Sequence, residues 1–559
     1  MCEISVYPRP QWLRDANSGA FALSSAIPLV ATEGVVAEVG HFQRWMHEDH
    51  GLNLAVGHSG DHEPEIRVGL LSDDPVRSML AHRGYRPDGR EDVAEGYFLG
   101  VGSDHVVLAG HDAAGVLHGL QLLRQLVVRS DDGLVIQPVE AHDWPYKSIR
   151  GIHLYMPPRE QLPFFRRLLE FLSALRYNTV FLEVGGGMRF DRRPEINRGW
   201  EEYVTRIKAL PGFVMEAEHG FPFPKNSTHY ELAGGSFLEK DEVRQMLEWA
   251  SALHIEVLPE VQSLSHAYYL CSAHPEIAEN QADPFPDTFC PSNPASYELL
   301  VDVMAEVIEV FEPRLIHTGH DELYTLGVCP CCREKDGADL LAGDLIKTHD
   351  FLADRGIRMA LWGDKLMNII VGGRPQGGRA ITVEPGSWFR STEPYTIPET
   401  YSAVERVPKD MLIFNWYWST DSQSQEYFAR KGFEQIYGNL AFQGGRAFQR
   451  WDALASSPTV LGGEVSTWCE VSEYAFGHDA CFFNLAVGAQ PLWWSGYCDN
   501  ERADVLDTVA NLQPLVRGRL SSRRSPSLAA SVDFTCYPLP RSAAEPVTIA
   551  GLPEGRTVL

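Results

Sequence analysis

Apolar residues fall along this chain in two rhythms. Up to about residue 145 short alternating runs mix with one long helical period. Glu65–Leu71, Tyr97–Val101 and His105–Ala109 read as strands. Beyond the last of them Val116, Leu117, Leu120, Leu123 and Leu126 recur at helical spacing and predict a helix over Ala113–Val128. From about residue 146 strand-like runs alternate with longer helical stretches. Strands are predicted at Ser148–Leu154, Asn178–Val184, Ile255–Gln262, Arg314–Thr318, Arg358–Trp362, Met411–Trp416, Gln435–Asn439 and Val460–Trp468. Helices are predicted at Glu160–Leu175, Lys240–Leu253, Pro294–Phe311 and Ala338–Asp354.

Eight such strands with helices between most of them predict an α/β fold, a (β/α)8 TIM-type barrel preceded by a small α/β domain. The expected division is 1–145 for the small domain, 146–500 for the barrel, and 501–559 for a C-terminal extension with a short β appendage. A doubly wound sheet is the competing topology, but no G-x-G-x-x-G follows the first strand.

Composition changes the picture in three places. The formal charge of −27 disfavours nucleic acid as a partner, and no basic run relieves it. The longest early apolar stretch, Gly19–Ala31, is broken by Ser24, Ser25 and Pro28, so no membrane span or export signal is visible and a cytoplasmic location is expected. The ten cysteines are scattered except for Cys329, Cys331 and Cys332. With a fourth ligand such as His317 or another cysteine this cluster would suit zinc. Only Cys329 and Cys332 have C-x-x-C spacing, which favours a loop of reduced or partly oxidised thiols, and no metal or other cofactor is assigned. A homo-oligomer is left open.

A parallel barrel carries its site at the C-terminal ends of its strands. Reading strand ends gives Arg150, Glu260, His266, His317, Asp321, Glu322, Trp362, Asp364, Trp416, Tyr417, Trp418, Glu464, Trp468 and Glu470. Carboxylates and tryptophans dominate, a mixture that suits a sugar: indole faces stack on pyranose rings and charged groups hydrogen-bond hydroxyls. The adjacent pair Asp321-Glu322 is the sharpest feature, because two carboxyls in one pocket can divide acid and base roles.

In order along the chain these segments resemble glycoside hydrolase family 20, the β-N-acetylhexosaminidases. His317-Thr-Gly-His-Asp-Glu322 is similar to that family's H-x-G-G-D-E, with His320 for its second glycine. Ser148-Ile-Arg-Gly-Ile152 resembles its first-strand R-G, and Pro259-Glu-Val-Gln-Ser-Leu-Ser-His266 its P-E-x-x-x-P-G-H, with Leu264 and Ser265 for the Pro and Gly. Cys290-Pro-Ser-Asn-Pro294, Leu361-Trp-Gly-Asp364 and Gly462-Gly-Glu-Val-Ser-Thr-Trp468-Cys-Glu470 sit where the family has its corresponding segments. Glu95 through Leu126 resembles the small domain before its barrel.

The resemblance implies a retaining exo-glycosidase that removes terminal β-linked N-acetylhexosamine, GlcNAc or GalNAc, from an amino-sugar oligosaccharide or glycoconjugate. The sugar's own 2-acetamido group would be the nucleophile, through an oxazolinium intermediate. Asp321 would orient the acetamido group, and Glu322 would serve as acid and then base. Arg150 and Glu470 would hold sugar hydroxyls, and Trp362, Trp416 and Trp468 would wall the pocket. His266 would stand behind Glu322. The sequence departs from the family in two places. Val184-Gly-Gly-Gly-Met188 stands where it has an Asp pair, so His320 or Glu183 would serve the relay. The tyrosine after the seventh strand has Tyr437, Tyr417 and Asn439 as candidates. A metal-dependent hydrolase using His317, His320, Asp321 and Glu322 is the rival class, and a non-catalytic sugar-binding relative is a third.

Overall fold

The computed structural model describes residues 6–16, 18–57, 64–87, 89–210, 227–383, 395–419, 424–440 and 451–520. Residues 521–559, where a linker and the short β appendage are expected, lie outside the described residues.

The first part of the chain builds a six-stranded mixed sheet in the order Trp12–Asp15, Val139–Asp143, Tyr97–Val101, His105–Gly110, Glu65–Leu70, Leu29–Ala31. The helix Ala113–Leu126 starts where the Asp112 side chain accepts a hydrogen bond from the Gly115 N–H, which satisfies a donor the helix cannot use. It packs with the helix Val36–His50 on one face of the sheet, while Val76 and Leu80 of Asp74–Arg83 pack on Phe98, Val107 and Ala109 of the other.

Eight parallel strands then close a barrel: Ile149–Tyr155, Thr179–Glu183, Glu256–Ser263, Leu315–Gly319, Arg358–Trp362, Leu412–Asn415, Glu434–Tyr437 and Val460–Ser466. The last pairs with the first in parallel, Ile149 opposite Gly462 and His153 opposite Ser466. Every predicted barrel strand is present, its ends shifted by no more than two residues. The outer helices begin at strong caps: Asn293 before Pro294–Phe311, Asp336 before Gly337–Ala353, and a Glu239/Glu242 capping box before Lys240–Ser251. Ile149, Phe181, Leu258, Leu315, Ala360, Trp362, Leu412, Phe414 and Ile436 fill the barrel interior. This packed floor leaves ligand space only at the strands' C-terminal rim. After the eighth strand, Cys481–Trp493 and Arg502–Leu520 are helices packed on each other. Among the described residues no helix is long and apolar enough to cross a membrane.

Candidate active site

The C-terminal rim holds a cavity of about 420 Å³, lined by Tyr155, Ser227, Thr228, His229, Glu231, Asp321, Glu322, Trp416, Tyr417, Asn439 and Trp468. That volume is within the roughly 300–1,000 Å³ of small-ligand sites.

The fourth strand delivers the carboxylate pair. Its end passes through the left-handed region at Gly319 (φ 68°), His320 (φ 71°) and Glu322 (φ 46°). Glycine is required at 319: a Cβ there would lie 1.8 Å from the Gln262 Oε1. These turns break the alternation of a strand, so the adjacent carboxylates both line the cavity. Asp321 is buried, and burial together with the nearby Glu260 charge pushes its pKa up to about 6 against the pull of His229. The Glu322 side chain keeps 28% of its exposure and accepts a hydrogen bond from the Tyr324 hydroxyl at 2.8 Å. Its backbone N–H donates to Asp364 Oδ2 at 3.3 Å. Two neighbouring carboxyls therefore sit in unequal surroundings.

Behind them a chain of side chains leads back to the second strand. The His266 Nε2 is 3.3 Å from Asp321 Oδ2 and 3.7 Å from Glu322 Oε2. Its ring stacks on His229, 4.4 Å between centroids, and His229 Nδ1 is 2.7 Å from Glu183 Oε1. Burial would lower the His229 pKa, but Glu183, with Asp321 and Glu260, outweighs it and pushes it up to about 9. Burial and the His229 charge push His266 down to about 4. His229 is thus a cation at neutral pH and His266 a neutral ring. Beneath the pocket Glu260 ties four side chains: His153, His317 Nδ1 at 2.9 Å, Trp362 Nε1 at 3.2 Å and Gln262 Nε2 at 3.1 Å. Burial would raise the Glu260 pKa, but His317 and His153 prevail and hold it well below the usual carboxylate range.

Asp321, Glu322, Trp416, Tyr417, Asn439 and Trp468 come together on the cavity, with His266 directly behind the pair. Trp362 stands one layer lower, its ring 5.4 Å from Trp416 and 5.7 Å from Trp468, so it supports the wall without forming it. The Trp468 Nε1 donates to Asn439 Oδ1 at 2.8 Å, joining the seventh and eighth strands' loops.

Of the two expected hydroxyl-binding residues, Arg150 is elsewhere. Arg150 lies near the N-terminal end of the first strand and faces away from the interior that its neighbour Ile149 helps to fill. Its guanidinium donates to the carbonyls of Arg176 (2.6 Å) and Lys147 (2.8 Å), pairs with Glu95 of the small domain, and lies over the Trp493 ring. Glu470 is not on the described lining. The same-side relation to Trp468 holds only in extended chain, and Trp468 is left-handed at φ 46°. Arg150→Ala is therefore expected to cost stability, about 1–3 kcal/mol, because the half-buried Glu95 loses its cation while keeping His118 and Asn178, with KM unchanged, as denaturant titration and steady-state kinetics would show.

Of the two residues expected to serve the relay, Glu183 reaches the surroundings of the pair, by way of His229 and the His266 ring stacked on it. His320 points away from the pair, its Nε2 2.8 Å from Asp344 Oδ2 on the helix outside the barrel. Tyr437 also points away, donating to the Leu454 carbonyl and stacking on Trp418. His317 and His320 thus turn to Glu260 and Asp344, and the four ligands of the rival metal reading do not converge. Among the described residues three groups offer ligand atoms within 4.8 Å of one another: His266–Asp321–Glu322, His153–Glu183–Glu260 and Glu279–Cys290–Cys329–Cys332. Sequence reasoning missed Tyr155, Ser227, Thr228, His229 and Glu231. The last four come from the far end of the insertion after the second strand, where no periodicity signals a pocket.

Fold and cavity define a (β/α)8-barrel protein with an acid pair and an aromatic wall at its C-terminal rim. Residues 199–497 match the family model described as glycosyl hydrolase family 20, catalytic domain, and residues 3–144 match that of glycosyl hydrolase family 20, domain 2. The chain belongs to glycosyl hydrolase family 20. It is 23% identical over 291 residues to a beta-hexosaminidase of Akkermansia muciniphila, covering 48% of this chain and 55% of that protein. It is 26% identical over 302 residues to one of Vibrio furnissii, covering 48% and 46%. The match thus spans about half the length of these curated relatives. Among solved structures, the beta-N-acetylhexosaminidase of Bacteroides fragilis superposes with a TM-score of 0.65 at 19% identity, over 92% of this chain and 95% of that one.

Proposed function

We propose that this protein is an exo-acting retaining glycosidase that releases terminal β-linked N-acetylhexosamine, GlcNAc or GalNAc, from an oligosaccharide or glycoconjugate. The observation that carries the proposal is the unequal Asp321-Glu322 pair under the wall of Trp416, Tyr417 and Trp468. The family's relatives named hexosaminidases support it.

In this reading the substrate's acetamido oxygen attacks the anomeric carbon and forms an oxazolinium ring. Asp321, ionised, accepts the acetamido N–H and balances the positive charge that develops. Glu322 gives its proton to the departing glycosidic oxygen, then takes one from the water that opens the ring. Tyr324 holds the Glu322 carboxyl in place, and the Glu183–His229–His266 series holds Asp321. Besides the acid pair, Glu231 is the carboxylate on the cavity lining that can meet sugar hydroxyls. Glu231→Ala is expected to cost about 1–3 kcal/mol in kcat/KM, mostly through KM.

The acid limb of kcat/KM should lie near pH 6, because Asp321 must be ionised and its pKa stands at about 6. The His229 cation lowers that pKa. His229→Gln keeps a donor for Glu183 but removes the charge, so the limb should move to higher pH. A limb that stays put or moves down would disconnect His229 from Asp321.

The reading is tested with paired aryl β-glycosides that differ only in the 2-acetamido group. Hydrolysis should require that group, and a thiazoline mimic of the oxazoline should bind far more tightly than the free sugar. Equal rates on plain β-glucosides would remove the internal nucleophile.

A further inference from the structure

We propose that Cys290, Cys329 and Cys332, with Glu279 as fourth ligand, bind one zinc ion that clamps together the loops following the third and fourth barrel strands. The Cys290 Sγ lies 3.4 Å from Cys329 Sγ and 3.5 Å from Cys332 Sγ, and all four ligand atoms fall within 4.8 Å of one another. A disulfide needs about 2.05 Å between its sulfurs. Thiolates around tetrahedral zinc, each about 2.3 Å from the metal, stand about 3.8 Å apart. The observed spacing is close to the second geometry.

Glu279 supplies the independent observation. It is 1% exposed, and its Oε1 accepts the Val328 N–H at 2.8 Å and the Cys329 N–H at 3.2 Å. Its Oε2 is buried with no hydrogen-bond partner. A buried carboxylate oxygen beside three thiols is costly if nothing binds it. A disulfide would leave that oxygen and one thiol unused, whereas a divalent cation uses all four. Three sulfurs and one oxygen select zinc over the harder calcium or magnesium. The outer contacts also suit a metal centre: Ser292 Oγ is 3.2 Å from Cys332 Sγ and accepts from Lys335 Nζ at 2.8 Å, bringing positive charge to an anionic ligand set.

Placement gives the site its role. Glu279 and Cys290 belong to the loop that starts with His266, and Cys329 lies seven residues beyond Glu322 on the loop that starts with the acid pair. The clamp fixes His266 against Asp321 without touching substrate. The zinc is a structural ion, and the inference stands whether or not the proposed glycosidase activity is found.

The test uses the full chain, expressed with added zinc and gel-filtered. Metal analysis should give about one zinc per chain, and zinc K-edge absorption should show sulfur-dominated coordination near 2.3 Å. Cys331→Ser, at an exposed cysteine outside the cluster, should keep the metal, whereas Cys290→Ser and Cys329→Ser should lose it. If those two variants fail to fold, absorption on the unmodified chain decides. Reduced protein that takes up no zinc on dialysis overturns the proposal. So does a zinc bound by nitrogen and oxygen alone, or a Cys290 disulfide to Cys329 or Cys332 in the protein as purified.

Discussion

Glu322→Gln is expected to lower kcat/KM by about 10²–10⁴-fold on natural glycosides, the usual scale of a general acid–base contribution. The loss depends on the departing group. A sugar alcohol leaves poorly without a proton, so oligosaccharides suffer the full effect. An aryl glycoside with an acidic phenol needs little protonation and keeps much of its first-step rate, while ring opening still lacks its base. A series of aryl leaving groups measured on the variant should therefore give a steep dependence on phenol pKa, and on the parent protein a shallow one. The half-buried setting of Glu322 beside Tyr324 fits a group that meets the aglycone. If the steep dependence appears in Asp321→Asn instead, the two roles are exchanged.

Asp321→Asn is expected to remove activity on every substrate, whatever its leaving group, and at the same time to stabilise the fold. The carboxyl is buried, and its pKa is carried from 3.8 to about 6, burial being the main cause. Keeping it ionised at pH 7.5 thus costs the folded state roughly 1–3 kcal/mol relative to the unfolded chain. The sign follows from the raised pKa: the penalty is absent below about pH 4 and complete above about pH 6. Asparagine cannot ionise, so the variant should unfold at higher denaturant concentration than the parent at pH 7.5, and the difference should shrink as pH falls toward 4. Equal stability across that range would mean that the site does not strain its anion. Loss of activity confined to poor leaving groups would remove Asp321 from the internal-nucleophile role.

The barrel was legible because each strand is a short apolar run ending in polar residues, and longer stretches of helical length stand between most of them. Asp321 and Glu322 were legible because a strand end with glycine at 319 marks a turn. Phase was harder to read. Ser148-Ile-Arg-Gly-Ile152 does not say which of two faces is inside, and the interior takes Ile149 and not Arg150. Trp468 and Glu470 were paired by an alternation that a left-handed residue interrupts. His229 returns to Glu183 from 46 positions away, and Cys290 meets Cys329 across 39, so only folding joins them. The glycines in the place of the family's strand-2 acids were visible, but Glu183, two positions before them, is joined to the site only through His229.

The tie beneath the barrel reaches beyond this one molecule. Arg150 on the first strand pairs with Glu95, Asn178 Nδ2 donates to Glu95 Oε1 at 2.9 Å, and Trp493 of the closing helix donates to Asp143 Oδ1 at 3.0 Å. Both acids belong to the first 145 residues, while their partners belong to the barrel. Recombination that joined this barrel to an unrelated leading segment would strand a buried guanidinium without its anion. An exchange of either piece would therefore keep this tie only where the new partner brought a matching acid.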